Sequence, residues 1–169
     1  MTKLGTSLGN QVKAALVFTL VLPLVLVVGV PALLVGWPCY WAYGRWLRLR
    51  WEKTWAREGK RILLVYSRSP SWQDYIETNW LPRLTPHAVI LDWSDRSQWP
   101  KRHPLEIRVF RYWGGDEEFN PLVVIFPIRG KVRTIRFWRP FRDFKHGNIG
   151  ALRKAEAELF ELVDELQAA

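Results

Sequence analysis

Between Ala14 and Gly36 the chain reads AALVFTLVLPLVLVVGVPALLVG, with no charged side chain anywhere in the run. As a helix it would extend roughly 34 Å at 1.5 Å per residue, enough to cross the hydrocarbon of a bilayer, where a helix satisfies its backbone polar groups by itself. This predicts a transmembrane anchor over 14–36 behind a short tail at 1–13. The rival reading is a cleaved signal peptide, whose apolar region usually runs about 7 to 15 residues and ends at a small-x-small site. VGWPCY offers no such site, and Gly36, Trp37 and Pro38 do not give Cys39 the context of a lipoprotein signal. Cys39 therefore reads as an interfacial thiol. Pro23, Gly29 and Pro31 lie inside the run and would each kink a helix, which a membrane tolerates where neighbours or water re-satisfy the freed carbonyls. Uncharged sequence continues to Gly44, so a re-entrant hairpin returning to the same side is the second topology.

The far flank sets the orientation. Trp37, Tyr40, Trp41, Tyr43 and Trp46 form an aromatic cluster of the kind that settles between headgroups and acyl tails. Close by, Arg45, Arg48, Arg50, Lys53, Arg57, Lys60 and Arg61 face only Glu52 and Glu58, whereas the N-terminal flank has Lys3, Lys13 and the amino terminus. The positive-inside bias then puts the larger part of the chain in the cytoplasm. Leu47, Trp51 and Trp55 recur every four residues among these cations. That spacing predicts, within a juxtamembrane segment at 37–60, a helix over 45–58 lying on the anionic leaflet with its Trp face down. The predicted membrane-interface residues are thus the five aromatics with Arg45, Arg48, Arg50, Trp51 and Trp55. A solvated basic linker is the plainer alternative.

Residues 61–169 have the length of one domain. RILLVYS, from Arg61 to Ser67, reads as a strand buried on both faces. Ser69-Pro70-Ser71 supplies a hydroxyl cap and an early proline for a helix carrying Trp72, Tyr75, Ile76, Trp80 and Leu84, which should stop near Pro82 to Pro86. AVILDW, from Ala88 to Trp93, is a second strand, and strand-helix-strand implies a parallel crossover and an α/β class. NPLVVIFPI, from Asn120 to Ile128, gives a third strand, and Arg129-Gly130 turns it into a hairpin partner over 131–138. Asn148 caps a final helix with Leu152, Ala155, Leu159, Val163 and Leu166 inward and Arg153, Lys154, Glu156, Glu158, Glu161 and Glu165 outward. Leu105 to Trp113 fits both a strand and a helix.

This order, with Pro121 opening the third strand, Gly130 at the hairpin turn and an amphipathic last helix, resembles the thioredoxin-like fold over 61–167. The resemblance implies a small mixed sheet. Where that family carries two cysteines, this chain has Ser67-Arg68-Ser69-Pro70-Ser71-Trp72, so the resemblance concerns fold alone. Cys39 is the single cysteine, which excludes an intramolecular disulfide, a Cys-x-x-Cys pair and a Cys-rich metal site.

In a parallel sheet ligands gather beyond the carboxyl ends of the strands. Those ends are Ser67 to Trp72, Asp92 to Arg96 and the Asn120-Pro121 loop, and the candidate pocket within them is Ser67, Ser69, Ser71, Asp92, Asp95, Asn120 and Pro121. Asp92 and Asp95 could serve as acid and base, but turn and helix capping explains both. Gly114 to Glu118 lacks the glycine spacing and lysine of a phosphate loop, and His87, His103 and His146 have no ligand spacing, so no metal or cofactor is implied. The formal net charge of +9 favours anionic partners. Arg129 to Lys145 interleaves seven cations and one acid with aromatics, and Arg129, Lys131, Arg133, Arg136, Trp138, Arg139, Phe141 and Arg142 form the candidate partner-binding surface; the same surface suits nucleic-acid phosphates with stacking or a second contact with anionic lipid, and core aromatics alternating with solvated arginines are the plainer account. The chain thus reads as a membrane-anchored, non-enzymatic interaction or complex-assembly module with a protein partner. The alternatives are a membrane enzyme acting on a lipid-linked or nucleotide substrate through the pocket, and a membrane-tethered nucleic-acid binder.

Overall fold

A computed structural model of the protein describes residues 19, 25–99, 104–115 and 120–168. Most of the run from Ala14 to Pro23, with His103 and the acidic residues 116–118, lies outside them. The chain divides into two compact units, Met1–Arg45 and Trp46–Ala169, and helix α1 (Val30–Thr54) contributes residues to both.

In the first unit a π-helical turn, Val25–Gly29, leads into α1. The wide turn directly precedes Pro31, whose ring would clash with the carbonyl four residues back and whose nitrogen has no proton to give it. The chain thus absorbs the proline without breaking, and Pro38 also sits inside α1. From Val25 to Thr54 the chain is helical without a reversal, so no hairpin turn falls in these residues. Val27, Leu33, Leu34, Trp37, Tyr40, Trp41 and Tyr43 are all exposed. One helical stretch near the N-terminus, Val27–Glu58, is long and apolar enough to cross a membrane.

The second unit is α/β, built on a mixed four-stranded sheet of order β2-β1-β3-β4. Strand β1 (Ile62–Tyr66) is buried on both faces along its whole length, as its unbroken apolar sequence requires. It pairs in parallel with β2 (Ala88–Asp92) and antiparallel with β3 (Leu122–Ile125), which pairs antiparallel with β4 (Arg133–Arg136). Between β1 and β2 lie α2 (Gln73–Asn79) and a single further turn, α3 (Leu81–Leu84), with Pro82 early in it. A 3₁₀ segment, Trp93–Gln98, follows β2, and Leu105–Gly114 forms helix α4, which settles the ambiguous stretch in favour of helix. After β4 come α5 (Trp138–Lys145) and α6 (Gly150–Ala168). The peptide bond between Asn120 and Pro121 is cis.

Alternation along the strands sends side chains to two cores. Ile62, Leu64, Val123 and Ile125 pack with Ile76, Trp80, Phe141, Leu152 and Leu159 of α2, α5, α6 and the residue after α2. Leu63, Val65, Leu122 and Val124 pack with Leu47 and Trp51 of α1 and with Val109 and Phe110 of α4.

Four local expectations need correction. The helix after β1 begins at Gln73 and not at the serines, because the Ser69 backbone carbonyl, not a hydroxyl, accepts the first N–H groups, from Trp72 and Gln73. Residues 131–138 are strand only as far as Arg136, since Trp138 already starts α5. Glu156 does not face water alone: it accepts from the Trp80 indole at 2.6 Å and the Tyr75 hydroxyl at 3.2 Å, an acceptor supplied to an indole with no exposed surface. Desolvation first, then this hydrogen bond, push the Tyr75 phenol up to about 12. The largest correction concerns the Trp face of the basic helix. Trp51 is fully buried, stacked on Phe126 with ring centroids 4.7 Å apart and donating to the Lys60 carbonyl at 3.1 Å. Trp55 packs against the same core. Arg48 donates to Glu52 and to the carbonyls of Pro127 and Gly130. These three residues hold α1 to the sheet and are not a surface laid on lipid; the outward row is Trp46, Leu49, Arg50 and Lys53.

Candidate functional site

The register explains which loops meet. Val65 pairs with Leu122, Tyr66 with Asp92, and Leu122 with Arg136, so the segments after β1 and β2, the segment before β3 and the start of α5 emerge at one edge of the sheet. A cleft of about 400 Å³ opens there, lined by Ser67, Ser69, Trp72, Trp93, Ser94, Arg96, Asn120 and Trp138.

Its walls are fixed from behind. The Trp72 indole donates to the Ser67 carbonyl at 3.0 Å, closing the loop after β1 and leaving the ring face as what Trp72 offers. Asp92 caps the 3₁₀ segment by accepting from the Ser94 N–H at 2.7 Å, and Ser94 Oγ accepts from the Arg68 N–H at 2.9 Å. The Arg68 guanidinium reaches back to Asp92 at 2.7 Å and to Asp95. These two carboxylates, Asp92 foremost, raise the Arg68 pKa. Burial, and then the negative charges of Glu77 and Asp92, raise that of Tyr66, whose hydroxyl lies 3.5 Å from Glu77. Arg96 lies over the Trp93 ring, 5.3 Å from its centroid. Asn120 is the one buried polar residue among those described; only 7% of it is exposed, and its Oδ1 accepts no hydrogen bond there.

Of the predicted pocket residues, Ser67, Ser69 and Asn120 line the cleft, whereas Ser71, Asp92, Asp95 and Pro121 do not. Asp92 caps the 3₁₀ segment, and both aspartates pair with Arg68. Trp72, Trp93, Ser94 and Arg96 lie within the strand-end segments expected from the sequence without having been singled out there, whereas Trp138 was expected on the partner-binding surface.

Comparison with family models, curated proteins and solved structures finds no match for this chain.

Of the predicted partner-binding residues, Arg129, Lys131, Arg133, Arg136, Arg139 and Arg142 are exposed on the β3–β4 connection, edge strand β4 and α5. Arg136 donates to the Gly114 carbonyl, and Arg142 pairs with Asp143 at 3.0 Å. Trp138 belongs to the cleft. Phe141 is a correction: it is buried among Trp72, Tyr75 and Trp80, because Phe137, Phe141 and Phe144 point one helical face at the sheet. Among the described residues no group of three or more His, Cys, Asp or Glu is placed to hold a metal ion.

Proposed function

We propose that this protein is a membrane-anchored, non-enzymatic interaction module: a single helix holds it in the bilayer, and a redox-inactive, thioredoxin-like domain on the cytoplasmic side docks a protein partner or joins a membrane complex. The observation that carries this reading is the exposure of the apolar helix. A core helix of similar hydropathy would be mostly covered, yet only 6% of the apolar window is buried. From Val27 to Gly36 the exposed helix extends roughly 15 Å and forms the far half of the uncharged run that begins at Ala14, so the aromatic cluster after it falls where the run leaves the hydrocarbon. Trp37, Tyr40, Trp41, Tyr43 and Trp46, each at least 39% exposed, then sit at the aromatic belt. The exposed Arg45, Arg50, Lys53 and Arg57 supply the positive-inside signal.

Strand order and connectivity support the thioredoxin-like reading: β1 parallel to β2, β3 and β4 an antiparallel pair beside β1, and a last helix packed on the sheet. The docking surface is the exposed cationic row of Arg129, Lys131, Arg133 and Arg139, on an edge strand and the adjoining loop and helix. An arginine row on an edge strand discourages indiscriminate strand pairing and suits an acidic partner. The test is mild-detergent purification of the full chain, wild type beside Arg133→Glu with Arg139→Glu. A stoichiometric subunit retained by wild type and lost from the variant is the expected result. A chain that purifies alone in both forms, or that stays in the supernatant without detergent, overturns the reading.

A further inference from the structure

We infer that the strand-end cleft binds a phosphorylated polyol, with the phosphate on Arg96 and the serine hydroxyls and a ligand hydroxyl on Asn120. This rests on the reading of the domain as held at a bilayer, where such groups are abundant as lipid headgroups.

The unsatisfied Asn120 oxygen is the starting point. A buried acceptor without a donor is costly, and a donor brought by a ligand restores what burial removed. Asn120 lines the cleft, so a turn of its carboxamide brings the buried Oδ1 to a ligand O–H or N–H held there.

The charges at this edge are unequally used. Arg68 is taken by Asp92 and Asp95, whereas Arg96, exposed and lying over Trp93, has no carboxylate partner among the described residues. An anion entering the cleft therefore meets one available guanidinium, whose planar fork suits a phosphate.

The hydroxyls add donors. Ser94 Oγ already accepts from Arg68 N–H, and Ser69 Oγ accepts from Ser71 N–H at 3.4 Å, so each keeps its own proton to give. Trp72, with its N–H already committed, presents a ring face against which the C–H groups of a sugar or glycerol can pack. Arginine, hydroxyl donors, a lone buried acceptor and an indole face match a phosphate joined to hydroxylated carbons. A di- or triphosphate would bring more charge than one open cation balances. The volume of about 400 Å³ suits a headgroup-sized ligand.

The experiment places the full chain in phosphatidylcholine nanodiscs and measures saturation transfer by NMR to glycerol 3-phosphate and myo-inositol 1-phosphate, with inorganic phosphate binding followed by phosphorus NMR. Transfer to the C–H protons of both polyol phosphates is expected, with about a tenfold loss of affinity in Arg96→Gln. Arg96 is exposed, so this variant should fold as wild type does. In Asn120→Leu, checked for folding by circular dichroism, the preference over inorganic phosphate should vanish. Adding phosphatidylglycerol to the discs displaces the soluble probe if the natural source is a lipid headgroup; if no anionic lipid displaces it, the source is a free sugar phosphate. Displacement by phosphatidylserine as strong as by phosphatidylglycerol means surface charge alone and overturns the inference. So does the absence of transfer, an unchanged Arg96→Gln, or inorganic phosphate binding as tightly as the polyol phosphates. Failure of the anchor would show separately, as release of the chain by alkaline carbonate, and probe binding in detergent micelles would still report on the cleft.

Discussion

Replacing Trp51 by alanine separates the two roles open to a tryptophan in a basic helix beside a membrane. A lipid-facing indole contributes little to the stability of the folded domain, whereas the indole seen here is fully buried, stacked at 4.7 Å and 11° on Phe126, and bonded to the Lys60 carbonyl. Truncating a large buried aromatic costs about 3 to 5 kcal/mol through lost transfer energy and the cavity left behind. Losing the indole donor to the Lys60 carbonyl adds roughly 1 kcal/mol, and the stacking preference is of similar size, although these terms overlap. A loss of about 4 kcal/mol is therefore expected, a large part of the roughly 5 to 15 kcal/mol that holds a domain together. With a urea dependence of about 2 kcal/mol per molar, the midpoint falls by roughly 2 M. The assay is urea unfolding of the nanodisc-held chain followed by circular dichroism, with Trp46→Ala as comparator. Trp46 is 39% exposed and lies under Arg50 and Arg108, so its loss should cost less than about 1 kcal/mol. Equal effects of the two substitutions, or a loss below about 1 kcal/mol for Trp51→Ala, would refute the packing argument.

Other consequences are measurable in the same preparation. Glu156→Ala strands the buried Trp80 indole and should cost about 1 to 3 kcal/mol in urea unfolding, while Glu156→Gln, which keeps an acceptor, should cost less. The Tyr75 phenol should titrate near 12 in NMR of labelled tyrosines, and lower in Glu156→Gln. Because the folded value is raised, the neutral phenol is the favoured form: its contribution is complete below the ordinary tyrosine range and is lost as pH climbs through about 12. Arg68→Ala should leave the urea midpoint close to that of wild type, since its ion pairs are half-exposed and screened by water and salt. Asp92→Ala should cost about 1 kcal/mol through the lost cap on Ser94.

Much of the domain was legible because its signals were local. The run Ile62–Tyr66 had to be a doubly buried strand, and Asn148 caps α6 through its side chain, accepting from the Gly150 N–H at 3.2 Å. The convergence of Ser67, Ser69 and Asn120 on one cleft followed from placing ligands beyond the strand ends. What misled was periodicity without a partner. Leu47, Trp51 and Trp55 were a genuine amphipathic stripe, but a stripe does not say whether lipid or a sheet covers it, and the deciding contact, Phe126, lies far away in sequence. Phe137, Phe141 and Phe144 carried helical spacing with Pro140 in the first turn, yet the preceding β-branched residues drew the strand reading too far. Arg48 gave no local sign that its guanidinium would serve the carbonyls of Pro127 and Gly130.

The central claim is that the helix before Trp37 lives in hydrocarbon. A nitroxide at Leu33→Cys in a Cys39→Ser background, read by electron paramagnetic resonance in nanodiscs, tests it directly. Collisions with apolar oxygen should dominate over those with a water-soluble nickel chelate. If the chelate reaches the label as readily as it reaches one at the exposed Thr85, the helix stands in water and the membrane reading is wrong.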